Sequence, residues 1–377
     1  MIDSLIPFSF PGKIKSKTIE RFLPHGYTIN GVDYYDGLSN KWDFSLGYKR
    51  EEIIDYVSER MKSHPACKFE MMSPGVEELN HELDTITNGD FAASFYTLSG
   101  SDAVESAIRV AYHYHRNRKH VICYNGSYHG STQFTSELTS ISIANNRTIA
   151  RTHIVHHIDP DELEEKILEI GPDDVACILK EPFSIQTSSV VLSPEYYKRV
   201  RELCDKHDIL FIVDDVALCM GKTGEWFGYQ RFEMEPDIVA FGKSVSAGYY
   251  ALAGILVNDK VLQRLRGKLL SMGYTQSPHM PGIYSALKTI DTIRNEDLLN
   301  NVKSMEDQTP HGNAIGCYLS IEAQSTAASE LRNQGIIASG SKFNTPHTLR
   351  FMFQIDTDLS HHADVLHRVY SLPSVVL

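Results

Sequence analysis

The sequence predicts an α/β fold with a large, mostly parallel sheet flanked by helices and a second, smaller domain. Three observations lead there. Short apolar runs alternate with helical segments from residue 120 to residue 257, the order of a doubly wound sheet. The runs Val175–Leu179, Ile209–Val213 and Ile238–Phe241 are apolar throughout rather than alternating, as in strands buried on both faces. Beyond residue 280 the pattern changes to helices mixed with short strands, which sets the tail apart.

The 377 residues are enough for one large domain plus a smaller one. A formal net charge of −12, dispersed along the chain, argues against nucleic acid or an anionic membrane as main partner. Six cysteines form no C-x-x-C pair, so zinc and redox motifs are not indicated and a reducing compartment, the cytoplasm, is expected. The start, MIDSLIPFSFPGKIKSK, lacks the charge-then-apolar order of a signal peptide, and no apolar run approaches membrane-spanning length. The histidine groups (His113 with His115, His153 with His156 and His157, His361 with His362) have no acidic or cysteine partner at ligand spacing, so no metal site is expected.

In chain order, Gly31–Gly37 reads as a turn, a short strand and another turn. Trp42, one of two tryptophans, is either core or the wall of a pocket. Ile53, Ile54, Val57 and Met61 share a helical face within 49–62, and 76–87 is a second helix. At Thr97-Leu98-Ser99-Gly100-Ser101-Asp102 a loop of small residues opens onto a helix with apolar positions 103, 104, 107, 108 and 111. Ser99 with Asp102, or Asp102 with Glu105, forms its capping pair, and the free N–H groups there suit a phosphate. A strand over His120–Tyr124 leads to Tyr128 on a Gly-rich loop, where the ring either covers a cofactor or lies on the surface. Asp159-Pro160 starts a helix that Gly171-Pro172 stops, and Ser193-Pro194 starts another that runs to about His207. Ala253–Val257 is a strand, 280–305 is largely helical, Leu349–Ile355 is a strand and 360–371 is a last helix.

The run ending in Asp214-Asp215 and the run ending in Gly242-Lys243-Ser244 organise the rest. Ligands of open α/β sheets gather at the carboxyl ends of strands, so the two endings propose one site with a carboxylate and a lysine. Pyridoxal phosphate needs that pair: a lysine to condense with its aldehyde and an anion to keep its ring nitrogen protonated. A lysine partly removed from water also loses pKa, as an amine nucleophile requires. The plainer alternative is a loop-capping aspartate and a solvated lysine. A nicotinamide dehydrogenase fits poorly, because no G-x-G-x-x-G follows the first strand.

The motifs taken together, Ser99-Gly100-Ser101-Asp102-Ala103, Tyr128-His129-Gly130, Glu181-Pro182, Asp214-Asp215-Val216, Gly221-Lys222-Thr223-Gly224 and Gly242-Lys243, resemble the class III aminotransferases. The resemblance runs from Tyr34 to about Ile290 and weakly beyond. It implies the fold type I architecture of enzymes that use pyridoxal phosphate (PLP), divided as 1–45 and 279–377 in a small domain from both termini and 46–278 in a large cofactor-binding domain. It implies that Gly100 and Ser101 hold the cofactor phosphate, that Tyr128 and Val216 cover the two ring faces, and that Glu181 belongs to the cofactor site. Asp214 would bind the ring nitrogen, and Lys243 would carry the internal aldimine and shuttle the proton. It further implies a homodimer in which Thr275 reaches the neighbouring subunit's cofactor phosphate. Trp42 and Arg350 would face substrate; the alternative for Arg350 is a pair within the small domain.

Departures bear on the substrate. Ala217 stands where the family usually has glutamine, as in the diaminopelargonate aminotransferase branch, which Asp36-Gly37-Leu38-Ser39 followed by Trp42 also resembles. Lys222 stands for the usual arginine, Phe183-Ser184-Ile185-Gln186-Thr187 replaces a Gly-rich segment, and 300–316 is short. The expected activity is transfer of an amino group from an amine or amino acid to an aldehyde or keto acid. A PLP-dependent isomerase (aminomutase or racemase) and a catalytically silent partner protein are the alternatives.

Overall fold

The protein is described by a computed structural model that covers residues 18–68, 71–139, 151–155, 159–184, 191–340 and 347–376. The N-terminal segment, His156, His157 and 185–187, on which some sequence expectations rest, lie outside these described residues.

The chain begins with a meander of β1 (Arg21–Leu23), β2 (Gly26–Ile29) and β3 (Val32–Asp36). The large sheet follows: β4 (Ala93–Thr97), β5 (His120–Tyr124), β6 (Thr152–Val155), β7 (Val175–Lys180), β8 (Leu210–Asp214), β9 (Ile238–Phe241) and β10 (Ala253–Val257). Its order is β4-β10-β9-β8-β7-β5-β6. All pairs from β9 to β6 are parallel, and β10 runs antiparallel to both β9 and β4. Strands β7 to β10 are buried along their whole length, as continuous apolar runs require of a sheet covered on both faces.

Helices Gly100–His115, Pro160–Ile170 and Pro194–Lys206 cover the sheet, each started by a side-chain cap from Ser99, Asp159 or Ser193. Met280–Asn295 is a long helix that packs against Glu51–Ser63 and Pro74–Ile86. The expected boundary at 278/279 falls just before this helix.

The tail adds β11 (Asn313–Ile315), β12 (Tyr318–Glu322), β13 (Ile336–Ile337), β14 (Ser339–Gly340) and β15 (Thr348–Met352). Strand β13 pairs parallel with β3, so the N-terminal meander shares a sheet with the tail, while β11-β12-β15-β14 form a third sheet. Strand β15 ends three residues before the expected Ile355. The chain leaves the ladder at Phe353, whose N–H bonds Cys317 O at 3.0 Å, and Ile355 N–H turns to Ser45 O at 2.8 Å.

Candidate active site

Direction of the strands decides where the chemistry gathers. Both β4 and β9 oppose β10, so they run the same way, and the carboxyl ends of β4, β5, β7, β8 and β9 all face one edge of the sheet. Gly100 and Ser101 follow β4, Tyr128 to Gly130 follow β5, and Glu181 follows β7. Asp214 ends β8, Val216 lies just beyond it, and Lys243 follows β9. These residues, together with Trp42 and Ala217, line one cleft of about 170 Å³.

Asp214 is buried, and its Oδ2 lies 2.8 Å from His129 Nδ1, while Val216 N–H donates to its Oδ1 at 3.2 Å. With the proton on Nδ1 the imidazole donates, and the carboxylate has the partner that a buried charge requires. Neighbouring Asp215 serves structure instead. It accepts Tyr229 N–H at 3.0 Å, and burial pushes its carboxyl up to about 7.

Lys243 opens a short 3₁₀ turn with φ +44°, a left-handed conformation uncommon outside glycine. Residues held in this region cluster at functional sites. Burial holds its amine below the usual lysine range, opposed by the charges of Asp214 and Glu181. The Nζ stands 5.2 Å from the centre of the Trp42 ring. Glu181 is also buried in the cleft; desolvation pushes its carboxyl up to about 7, and its Oε2 has no hydrogen-bond partner among the described residues.

At the helix entrance Ser99 Oγ accepts Asp102 N–H at 3.2 Å and donates to the Asp102 carboxylate at 2.7 Å, so the first of the two capping pairs is formed. Space there is tight. A Cβ on Gly100 would meet Val216 Cγ1 at 2.6 Å, and one on Gly130 (φ +128°) would meet Ser101 Oγ at 2.6 Å. Ser101 Oγ accepts Ser131 N–H at 3.0 Å, and the Tyr128 hydroxyl lies 2.8 Å from Ser131 Oγ.

Two expected residues stand apart. Thr275 is exposed on the segment before the Met280–Asn295 helix, and Arg350 is buried in β15 opposite Ser320 and Ser339; neither lines the cleft of this chain. Conversely, His129, Gly130 and Ala217 line it without having been assigned a place there. The signal for His129 was present in Tyr128-His129-Gly130 at a strand end, but nothing in the sequence joins it to a carboxylate 85 positions on. Among the described residues no group of three or more His, Cys, Asp or Glu is arranged to hold a metal ion, and no helix is long and apolar enough to cross a membrane.

The donor set fits PLP. A half-buried lysine amine, a buried carboxylate hydrogen-bonded to His129, an aromatic ring and the N-terminus of a 16-residue helix converge on one cleft. Glycine at position 100 keeps that helix entrance free of a side chain.

Comparison with known proteins agrees. The class-III aminotransferase family model matches residues 26–348. The chain is 30% identical over 302 residues to the putrescine–pyruvate aminotransferase of Pseudomonas aeruginosa, covering 73% of this chain and 66% of that protein. It is 28% identical over 347 residues to the taurine–pyruvate aminotransferase of Bilophila wadsworthia, covering 82% and 74%. The chain therefore spans just under two thirds of the first relative's length. A solved transaminase from the marine bacterium Virgibacillus shares the fold with a TM-score of 0.92 at 23% identity, covering 97% of this chain and 95% of that one. An amine transaminase from an uncultivated Pseudomonas species, in its PLP-bound form, does so with a TM-score of 0.90 at 20% identity, covering 98% of each chain. The chain belongs to the class-III aminotransferases, PLP-dependent enzymes of the fold type I architecture.

Proposed function

We propose that this chain transfers an amino group from an amine or amino acid donor to an aldehyde or keto-acid acceptor, using Lys243, Asp214 and Tyr128 as its catalytic residues. The observation that carries the reading is the convergence of the Lys243 amine and the His129-held Asp214 carboxylate in one cleft. Bound there, pyridoxal phosphate supplies an aldehyde that condenses with amines and a ring that takes up electron density from the reacting carbon. Gly100, Ser101 and the helix N-terminus hold the phosphate. Tyr128 and Val216, which line the same cleft, would cover the two ring faces, and Asp214 would keep the ring nitrogen protonated, with Glu181 as a second carboxyl in the cleft. Lys243 would hold the aldehyde through its amine, which burial keeps below the usual lysine range, and would serve as the acid and base that carries a proton to and from the donor carbon. Trp42 walls the donor side. Arg350 lies outside the cleft of this chain, so its candidacy for an acceptor carboxylate rests on the family resemblance alone.

The reading extends to a homodimer in which Thr275 serves the neighbouring site, and to a cytoplasmic location, in keeping with six free cysteines. The local likeness to the diaminopelargonate branch at Ala217 bears on the choice of donor and acceptor.

The test is the visible spectrum of the purified protein, titrated with amines without any acceptor. A yellow band that Lys243→Ala lacks, and that a donor bleaches until a keto acid restores it, is the expected result. Conversion of substrate with the band intact and no acceptor present would instead establish the isomerase. A protein that never takes up the cofactor would sink the reading.

A further inference from the structure

Lys222 is one of the largest fully buried side chains in the molecule, with 1% of its surface exposed. It lies in the turn after β8, held by Met220 (φ +59°) and Gly221 (φ +87°). Its amine donates to two backbone carbonyls, those of Ala217, at 3.0 Å, and Trp42. Both of these residues line the active-site cleft. Its own carbonyl accepts Cys317 N–H at 2.9 Å, and a Cβ on Gly316 would stand 2.1 Å from that oxygen, so the C-terminal part clasps the same turn.

The segment it grips does not hold its shape by local preference. Ser39, Asn40 and Trp42 all have positive φ (+46°, +63° and +70°), conformations that residues with side chains avoid. Contacts from outside must over-determine such a segment. Those found are the Asp36 carboxylate on Leu38 and Asn40 N–H, the Ser39 hydroxyl on Met352 O, and two donors on the Trp42 carbonyl: Lys222 Nζ, and Ser244 Oγ at 3.3 Å. The Trp42 ring in turn faces Lys243 Nζ.

We propose that Lys222 is the positioning residue of Trp42: its amine fixes the Trp42 carbonyl against the floor at Ala217 and thereby sets the size of amine donor the cleft accepts. The part about donor size rests on the reading of Trp42 as the donor wall. An amine at this place has the right chemistry for the task. It offers three donors on a flexible stem, so two carbonyls at unrelated angles can both be served from one buried point.

The chain has two tryptophans, so Trp226→Phe leaves Trp42 as the sole tryptophan, to be excited selectively at the red edge where tyrosine does not absorb. In that background Lys222→Met should shift emission to longer wavelength and raise acrylamide quenching as Trp42 loosens. Lys222→Arg, which keeps the charge and two donors, should restore both signals. In turnover, Lys222→Met should change KM for bulky against small amines by about tenfold while changing kcat less, equivalent to ~1.4 kcal/mol. Adding Lys222→Met to Trp42→Ala should produce no further change in that ratio. If Lys222→Met fails to fold, Lys222→Gln, with a shorter reach and one amide, takes its place with the same expectations.

A folded Lys222 variant with Trp42 emission and quenching unchanged would overturn the positioning role, whether or not the protein turns over an amine. Trp42→Ala with no effect on KM for any donor would overturn the donor-size role and with it the wall reading, while the emission result still judges the clamp. Additive effects in the double variant would also overturn the donor-size role, by showing that Lys222 acts elsewhere.

Discussion

His129 is the side-chain partner of the buried Asp214 carboxylate. Both are buried, and their contact of 2.8 Å supplies a donor that solvent cannot. His129→Leu leaves a buried carboxylate short of a partner, so it should cost roughly 3 kcal/mol of stability by urea denaturation and lower the affinity for the cofactor. Unchanged stability would show that Asp214 finds another partner or sheds its charge. Glu181 carries the opposite burden. Burial pushes its carboxyl to about 7 from an ordinary 4.5, so the native state holds a proton that the unfolded chain releases. Between those two pH values stability falls as pH rises, and the penalty, about 3 kcal/mol, is complete above 7. Glu181→Gln cannot titrate, so its stability advantage over the unaltered protein should grow from pH 5 to pH 8. Asp215, raised in the same direction, titrates in both proteins and cancels from the comparison. Parallel stability curves would refute the assignment.

At the scale of elements, the start of the Gly100–His115 helix joins the proposed cofactor cleft to the packing around it. Gly100→Ala drives a methyl to 2.6 Å from Val216 Cγ1, and a branched side chain on the cleft floor has little room to yield. The expected result is a loss of about 1–3 kcal/mol from overpacking, with weaker cofactor retention in gel filtration. Ser99→Ala removes only the cap and should cost about 1 kcal/mol. The cap was legible in the sequence because Ser99 and Asp102 state their pairing locally. So were β5, β9 and β10, whose apolar runs have the observed limits. Strand β4 was not. Ala93-Ser94-Phe95-Tyr96-Thr97 is short and mixed, and its place comes from pairing with β10, more than 150 residues later. The same cause hid the β3–β13 pairing. Contacts fixed by distant partners leave no period in the sequence, and the His129–Asp214 pair belongs to that class.

The whole molecule is tied together by charges that cross its parts. Arg50, at the start of the Glu51–Ser63 helix, donates to Asp356 Oδ2 at 2.8 Å and to both Glu296 oxygens at 2.6 and 2.8 Å. It thereby joins the N-terminal region, the end of the long helix and the tail. Burial raises the Asp356 carboxyl, so Arg50→Met should cost roughly 3 kcal/mol, and Asp356→Asn in the same chain should recover part of it. The proposed homodimer poses a further test of the same kind. Thr275 is exposed and lies outside the cleft of its own chain, as a residue that serves a neighbour would. If each site draws Lys243 from one subunit and Thr275 from the other, Lys243→Ala and Thr275→Asp proteins are each deficient alone, the second because an added carboxylate repels the phosphate. Dissociated together and reassembled in equal amounts, half of the dimers become hybrids with one intact site, so about a quarter of all sites should regain the lysine-linked yellow band. A mixture no more coloured than the average of its parents would mean that Thr275 serves its own chain or none. The hybrids thus separate a shared site from a merely dimeric protein, which sedimentation alone does not.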